Sequence, residues 1–236
     1  MRFRVLACDY DRTLASVGTV SDATLAALRS VSASGRRLVL VTGRTKAELL
    51  DVFNQLEVFD VVVVENGAEL ILPRSGVERP LAEPIPARLL RELRDRQIER
   101  LVVGNVICAT LATNFDEVQA AVHDLGLTGI DLIVNRDSLM VMPHGVTKAS
   151  GLRTAVSELG ESVSATVAVG DGENDLALIG EAGVGVAVGN AVEELKALAD
   201  FVLDKPNGEG IQQLCAALVG EDLASLVPER EARRAG

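Results

Sequence analysis

Short apolar runs recur along this chain, and several break off at polar clusters: FRVLAC at 3–8, RRLVLV at 36–41, VVVV at 61–64, ATVAVG at 165–170 and VGVAVG at 184–189. Stretches with a helical period separate most of them. Runs this short and this apolar suit strands buried on both faces, the condition of a parallel sheet covered by helices. Ser21 is placed to cap a helix over 22–34, in which Leu25, Leu28 and Val31 share one face and Gly35 ends the turn. A helix over 45–56 follows the second run. The third run leads through ENGA into AELILP, a fourth strand expected to pair with it as a hairpin. The order β-α-β-α-β over the first 72 residues predicts an α/β fold with a Rossmann-like parallel sheet.

The middle of the chain has another character. Prolines at 73, 80, 84 and 86 punctuate it. After them come a charged helix (ARLLRELRDRQ), one strand over 100–112, a helix over 115–125 and a hairpin turning near Arg136–Ser138. Residues 80–143 are therefore expected to form a small inserted α/β cap domain, with 1–79 and 144–236 as the core. The alternating pattern returns with helices over 148–159, 174–182 and 191–199, a short strand in FVLDK, and a last helix from Gly210. The charged tail EDLASLVPEREARRAG is expected to fray.

The formal net charge of −11 argues against nucleic acid and anionic membranes as partners. An anionic substrate then needs local positive groups or a divalent cation. Cys8, Cys108 and Cys215 are odd in number and far apart, which indicates neither a disulfide framework nor a zinc site. The N-terminus meets an acid too early for a signal peptide, and no apolar run reaches the length that spans a bilayer. A cytoplasmic monomer or homodimer is the expectation.

Three polar clusters carry the chemistry. Asp9-Tyr10-Asp11-Arg12-Thr13 follows the first strand, Thr42-Gly43-Arg44 ends the second, and Gly170-Asp171-Gly172-Glu173-Asn174-Asp175 follows a later one. Ligands of open parallel sheets bind beyond the carboxyl ends of the strands, where all three clusters fall. If those strands are neighbours, Asp9, Asp11, Asp171 and Asp175 crowd together and need a counter-charge. A hard, oxygen-ligated cation such as Mg2+ supplies it. An aspartate nucleophile suits phosphoryl transfer, and a second carboxyl group can protonate the leaving oxygen and then activate water. Thr42 offers a hydroxyl, the loop from Gly43 offers backbone N–H groups, and Lys148 offers a compact positive charge. A calcium loop is a rival for the first cluster, but Leu14 stands where an EF-hand needs glycine. There is no GxSxG elbow and no GxxxxGK[ST] loop.

DYDRT, Thr42, Lys148 and GDGEND together, and in that order, resemble the four motifs of the haloacid dehalogenase (HAD) superfamily. ENGA at 65–68 and VGVAVGNA at 184–191 resemble its Cof-type branch, subfamily IIB, whose cap lies between the second and third motifs. The resemblance covers about 1–75 and 145–212. It implies that Asp9 is the nucleophile and Asp11 the general acid/base, and that Thr42, Gly43 and Lys148 bind the phosphoryl group. It further implies that Asn174 touches phosphate or orients the lysine. Mg2+ would be held by the Asp9 carboxylate, the Asp11 carbonyl and Asp171, with Asp175 in support. The expected reaction is hydrolysis of a small phosphorylated metabolite, phosphoglycolate or a sugar phosphate, through an aspartyl-phosphate. A phosphomutase or phosphotransferase on the same core, and a non-catalytic metal or phosphate sensor, are the alternatives. Arg12 and Arg44 are candidates for an anionic substrate. Arg136 is read as a surface charge, His123 as surface, Met140 and Met142 as core, and Cys8 as a buried strand residue.

Overall fold

A computed structural model describes residues 1–224, so most of the charged tail lies outside the described residues. In the first part of the chain β1 (Val5–Cys8), α1 (Asp22–Ala33), β2 (Arg37–Val41), α2 (Lys46–Val52) and β3 (Val61–Val64) alternate. β4 (Glu69–Leu72) and β5 (Val77–Pro80) follow. The middle holds α3 (Ala87–Asp95), β6 (Val102–Val103), β7 (Cys108–Leu111), α4 (Phe115–Asp124), β8 (Ile130–Asn135) and β9 (Ser138–Pro143). The chain then runs through α5 (Lys148–Glu158), β10 (Thr166–Gly170), α6 (Leu176–Glu181) and β11 (Val184–Ala187). It closes with α7 (Glu193–Leu198), β12 (Phe201–Val202) and α8 (Asn207–Glu221).

Eight strands form one sheet in the order β12-β11-β10-β1-β2-β3-β4-β5. It is parallel from β12 to β3, and β4 and β5 add antiparallel at one edge. The four valines of β3 are fully buried, as a strand covered on both faces requires. Ser21 accepts the Thr24 N–H at the start of α1, and Leu25, Leu28 and Val31 turn into the core. From β1 the chain moves one way to β2 and β3, and later the other way to β10, β11 and β12. The strand order therefore reverses between β1 and β10, and a crevice opens beyond their carboxyl ends.

The second sheet is antiparallel, in the order β6-β7-β9-β8. Leu139 and Val141 of β9 join Leu89 and Leu93 of α3 and Val118 and Ala121 of α4 in one apolar cluster. Met140 and Met142 face the other way, into a cluster with Val106, Ile107 and Ala68 of the first sheet's side.

Four local expectations are corrected. The strand expected over 100–112 is two short strands joined by a turn, closed by the Gly104 N–H donating to the Ile107 carbonyl at 2.9 Å. Strand β5, in the proline-rich stretch, went unrecognised because all four of its residues are exposed. Pro80 is tolerated there because the strand lies on the edge. Helix α2 ends at Val52, short of 56, because Phe53 leaves the helix with φ −150°. Helix α8 begins at Asn207 and not at Gly210. Among the described residues no helix is long and apolar enough to cross a membrane.

Candidate active site

Asp9 directly follows β1, and its N–H donates to the Val169 carbonyl of β10 at 3.0 Å, which fixes it at the reversal point. Its carboxylate is buried. Lys148 opens α5, where Thr147 caps the helix by accepting the Ser150 N–H. The lysine is 1 % exposed, and its Nζ lies 2.5 Å from Asp9 Oδ1 and 2.6 Å from Asp175 Oδ1. Asp175 Oδ2 accepts the N–H groups of Asp171 and Gly172, both at 3.0 Å. That fold-back needs glycine at 170, because a Cβ there would come 2.5 Å from the Asp175 carboxyl carbon. Asp171 is buried and accepts Arg136 Nη2 at 2.7 Å, with Thr13 Oγ1 and Arg12 Nε each at 3.4 Å.

Ligand oxygens of Asp9, Asp171 and Asp175 all lie within 4.8 Å of one another. Burial and the repulsion of Asp175 raise the Asp9 pKa well above the usual carboxylate range, although Lys148 opposes the rise. Burial, then Asp175, pushes Asp171 up to about 6 against the pull of Arg136, Arg12 and Lys148. Burial alone would lower the Lys148 pKa, but Asp175 and Asp9 outweigh it and the net shift is upward. Lys148 is the buried ammonium between Asp9 and Asp175, and Asp171 pairs with the partly exposed Arg136 and Arg12; three buried carboxylates at this spacing also form a group that a cation fits. The donors are hard oxygens only, the set that suits Mg2+. Asp175 is held on both oxygens by buried partners, Lys148 and two backbone N–H groups, whereas the arginines on Asp171 are partly exposed and can give way. Asp9 and Asp171 are therefore the carboxylates that fit a metal, with Asp175 holding their surroundings.

The other residues singled out by sequence fall around this centre. Asp11 is paired with Arg44 in a two-pronged contact, Nε to Oδ2 at 2.7 Å and Nη2 to Oδ1 at 2.8 Å. Arg12 leans on Asp171 with its side chain half exposed. Both arginines named as substrate candidates are therefore committed to acids of the site. Thr42 is fully buried and its Oγ1 accepts the Arg44 N–H at 3.2 Å. Asn174 donates from Nδ2 to Asn66 Oδ1 at 3.2 Å. A cavity of about 480 Å³ lies over the crevice, walled by Asp9, Gly43, Arg44, Lys148, Asp171 and Asn174 below and by Arg100, Thr110, Asn135, Arg136, Ser138 and Met140 above.

Arg136 is the clearest correction to the sequence reading. It is exposed, as read, but it also belongs to the site: the β8–β9 turn, with Arg136 in left-handed backbone at φ 55°, carries its guanidinium onto Asp171. Met140, read as core only, also lines the cavity. Arg100 was not recognised, because nothing local distinguishes it from the other arginines of the middle segment. His144 pairs with Asp131 at 2.8 Å and does not line the cavity, and His123 is exposed. Cys8 is buried, and burial raises its thiol pKa well above the ordinary value.

The model of the haloacid dehalogenase-like hydrolases matches residues 6–116 and 131–214. The chain is 37 % identical to the phosphoglycolate phosphatase of Methanopyrus kandleri over 107 residues, which are 45 % of this chain and 46 % of that protein, so the match spans less than half of that relative. It is 30 % identical to phosphoglycolate phosphatase 2 of Saccharolobus solfataricus over 220 residues, 89 % of this chain and 90 % of that one. Among solved structures, the HAD subclass IIB sugar phosphatase BT4131 superposes with a TM-score of 0.70 at 20 % identity, over 89 % of this chain and 97 % of the other. With its motif residues gathered at the reversal point of the parallel sheet, the chain belongs to the haloacid dehalogenase-like hydrolases.

Proposed function

We propose that this chain is a Mg2+-dependent phosphatase that cleaves a small phosphate monoester through an aspartyl-phosphate on Asp9. The observation that carries the reading is the buried Asp9–Lys148–Asp175 array at the reversal point of the sheet. Lys148 engages Asp9 Oδ1, which leaves Oδ2 as the attacking oxygen. Oδ2 bonds to phosphorus while the bond from phosphorus to the leaving oxygen breaks. Asp11, whose side chain is 45 % exposed, gives that oxygen a proton. It does so by exchanging its Arg44 contact for the leaving group. Asp11 then takes a proton from water, which attacks the phosphorus, releases phosphate and restores Asp9. Lys148 balances charge on the phosphoryl oxygens, and Asp175 holds Lys148. Gly43 and Asn174 line the cavity, and their N–H groups would donate to phosphate. Asp9 and Asp171 would hold Mg2+, which supplies further positive charge to the phosphoryl group.

The segment 80–143 is the proposed cap, which covers the cavity and excludes water. It brings Arg100, and Arg136 once released from Asp171 by a bound metal, over an acidic floor, an arrangement suited to a substrate with a second acid group. Relatives named phosphoglycolate phosphatase support that choice. A sugar phosphate is the second reading, favoured by the likeness to the sugar phosphatase BT4131. Hydrolysis of p-nitrophenyl phosphate, with Mg2+ and with EDTA, for wild type and Asp9→Asn tests the mechanism. Turnover that needs Mg2+ and vanishes in the variant is expected, and a fully active Asp9→Asn would sink the reading. Phosphoglycolate and glucose 6-phosphate compared at equal concentration then separate the two substrate classes.

A further inference from the structure

The turn after β3 contains a buried carboxylate that the proposed mechanism does not use. Glu65 is 1 % exposed. Its Oε1 accepts the Asn105 N–H at 2.6 Å, and its Oε2 accepts the N–H groups of Val106 and Ile107 at 2.8 and 2.9 Å. Those three donors are successive residues of the turn between β6 and β7, about forty positions along the chain and in the other sheet. A buried carboxylate is very costly unless its oxygens are satisfied, and here backbone N–H groups satisfy them. Glu69, one turn on, accepts Asn105 Nδ2 at 2.7 Å and grips the same turn. Gly104 brings the turn this close: a Cβ there would overlap the Glu65 carboxylate.

The backbone that carries Glu65 is joined to the loop after β2 and to the start of α5. The Glu65 N–H donates to the Arg44 carbonyl at 2.8 Å and the Asn66 N–H to the Thr42 carbonyl at 2.9 Å. Asn66 Oδ1 accepts Asn174. Gly67 lies against the carbonyl of Thr147, the cap of the helix that begins with Lys148, so closely that a Cβ would overlap it. Glu65 and Asn66 are successive non-glycine residues in left-handed backbone, at φ 54° and 56°. Such a conformation persists where the surroundings over-determine it, and it concentrates at functional sites. The turn between β8 and β9 reaches Asp171 through Arg136, an ion pair with the arginine side chain 34 % exposed.

We propose that Glu65 is a positioning residue that holds the 104–107 turn, and with it the four-stranded unit, in register over the phosphate site. Its effect on substrate passes through that unit, not through contact with the reacting atoms. The kinetic part of the test rests on the phosphatase reading, and the exchange part does not.

The experiment uses Glu65→Gln, Gly104→Ala and the double variant. Gln keeps the shape but sets an amide N–H2 against backbone N–H groups, and Ala at 104 displaces the carboxylate from the opposite side. In either variant, amide hydrogen exchange at 105–107 should quicken by roughly tenfold or more while β1 and β10 stay protected. KM for phosphoglycolate should rise about tenfold with kcat within about threefold, because Asp9, Lys148 and Asp171 are untouched. The double variant should be no worse than the worse single one, since both break the same contact. Unchanged exchange at 105–107, losses that add in the double variant, or a fall in kcat at constant KM would each overturn the proposal. If Glu65→Gln fails to fold, Gly104→Ala carries the exchange and KM tests alone. If the wild type hydrolyses no phosphate monoester, the phosphatase reading fails and the exchange result still decides the role of Glu65.

Discussion

Lys148 stands between two buried carboxylates, and its removal illustrates how strongly one residue can govern this site. Lys148→Ala leaves Asp9 and Asp175 facing each other without their cation, which should cost about 3–5 kcal/mol of stability in a denaturant titration. Asp171 lends itself to a pH test. Its native pKa of about 6 lies above the ordinary 3.8, so the folded state binds this proton more tightly than the unfolded chain does. The stabilisation is fully present below about pH 4 and is lost as pH rises through 6. In EDTA, the stability of wild type minus that of Asp171→Asn should therefore be smaller at pH 7 than at pH 3.5, by roughly 3 kcal/mol at most. A difference that grows with pH would contradict the environment described for Asp171. Much of this scale is legible in the sequence, because Asp9, Asp11, Asp171 and Asp175 sit in short motifs at the ends of apolar runs. The partners of the arginines are not legible. Arg44, Arg12 and Arg136 look alike as single residues, and only the fold shows that one meets Asp11 and two meet Asp171.

Among the elements, α5 depends on its entry. Gly67, at φ 107°, and Gly151 let the turn after β3 press against the start of that helix. Gly67→Ala combines an unfavourable φ with overlap on the Thr147 carbonyl, so it should destabilise by about 2–4 kcal/mol and shift the lysine. Thermal melts and the KM for p-nitrophenyl phosphate would read the two effects, and a near-neutral result would mean that the turn is looser than described. The elements that sequence reading identified, such as α1, α5 and the hairpin of β8 and β9, each carry their own signal: a cap, a face of apolar residues, or an alternating run. Those it misjudged lack one. β5 is polar and exposed, and the apolar run from 100 to 112 hides a turn whose N–H groups are satisfied by a carboxylate from elsewhere in the chain.

At the scale of the molecule, three buried acids lie within reach of one metal cation, with Lys148 between two of them and two partly exposed arginines on the third, in a chain whose net charge is −11. A divalent cation should therefore stabilise the whole fold. Mg2+ at about a hundred times its dissociation constant should add about 2.7 kcal/mol, seen as a rise in Tm that Asp171→Asn abolishes. An equal rise in the variant would place the metal elsewhere. What the sequence by itself determined is the α/β alternation and the chemical character of the site, because hydrophobic period and strand-end motifs are local properties. Only the tertiary structure decided that the strand order reverses between β1 and β10, which brings residues 9, 148 and 171 together. It alone also decided which arginine meets which acid, and that Glu65 holds a turn about forty residues away. Each of these rests on hydrogen bonds or ion pairs between distant segments, and such pairings exist only once the sheet has ordered its strands.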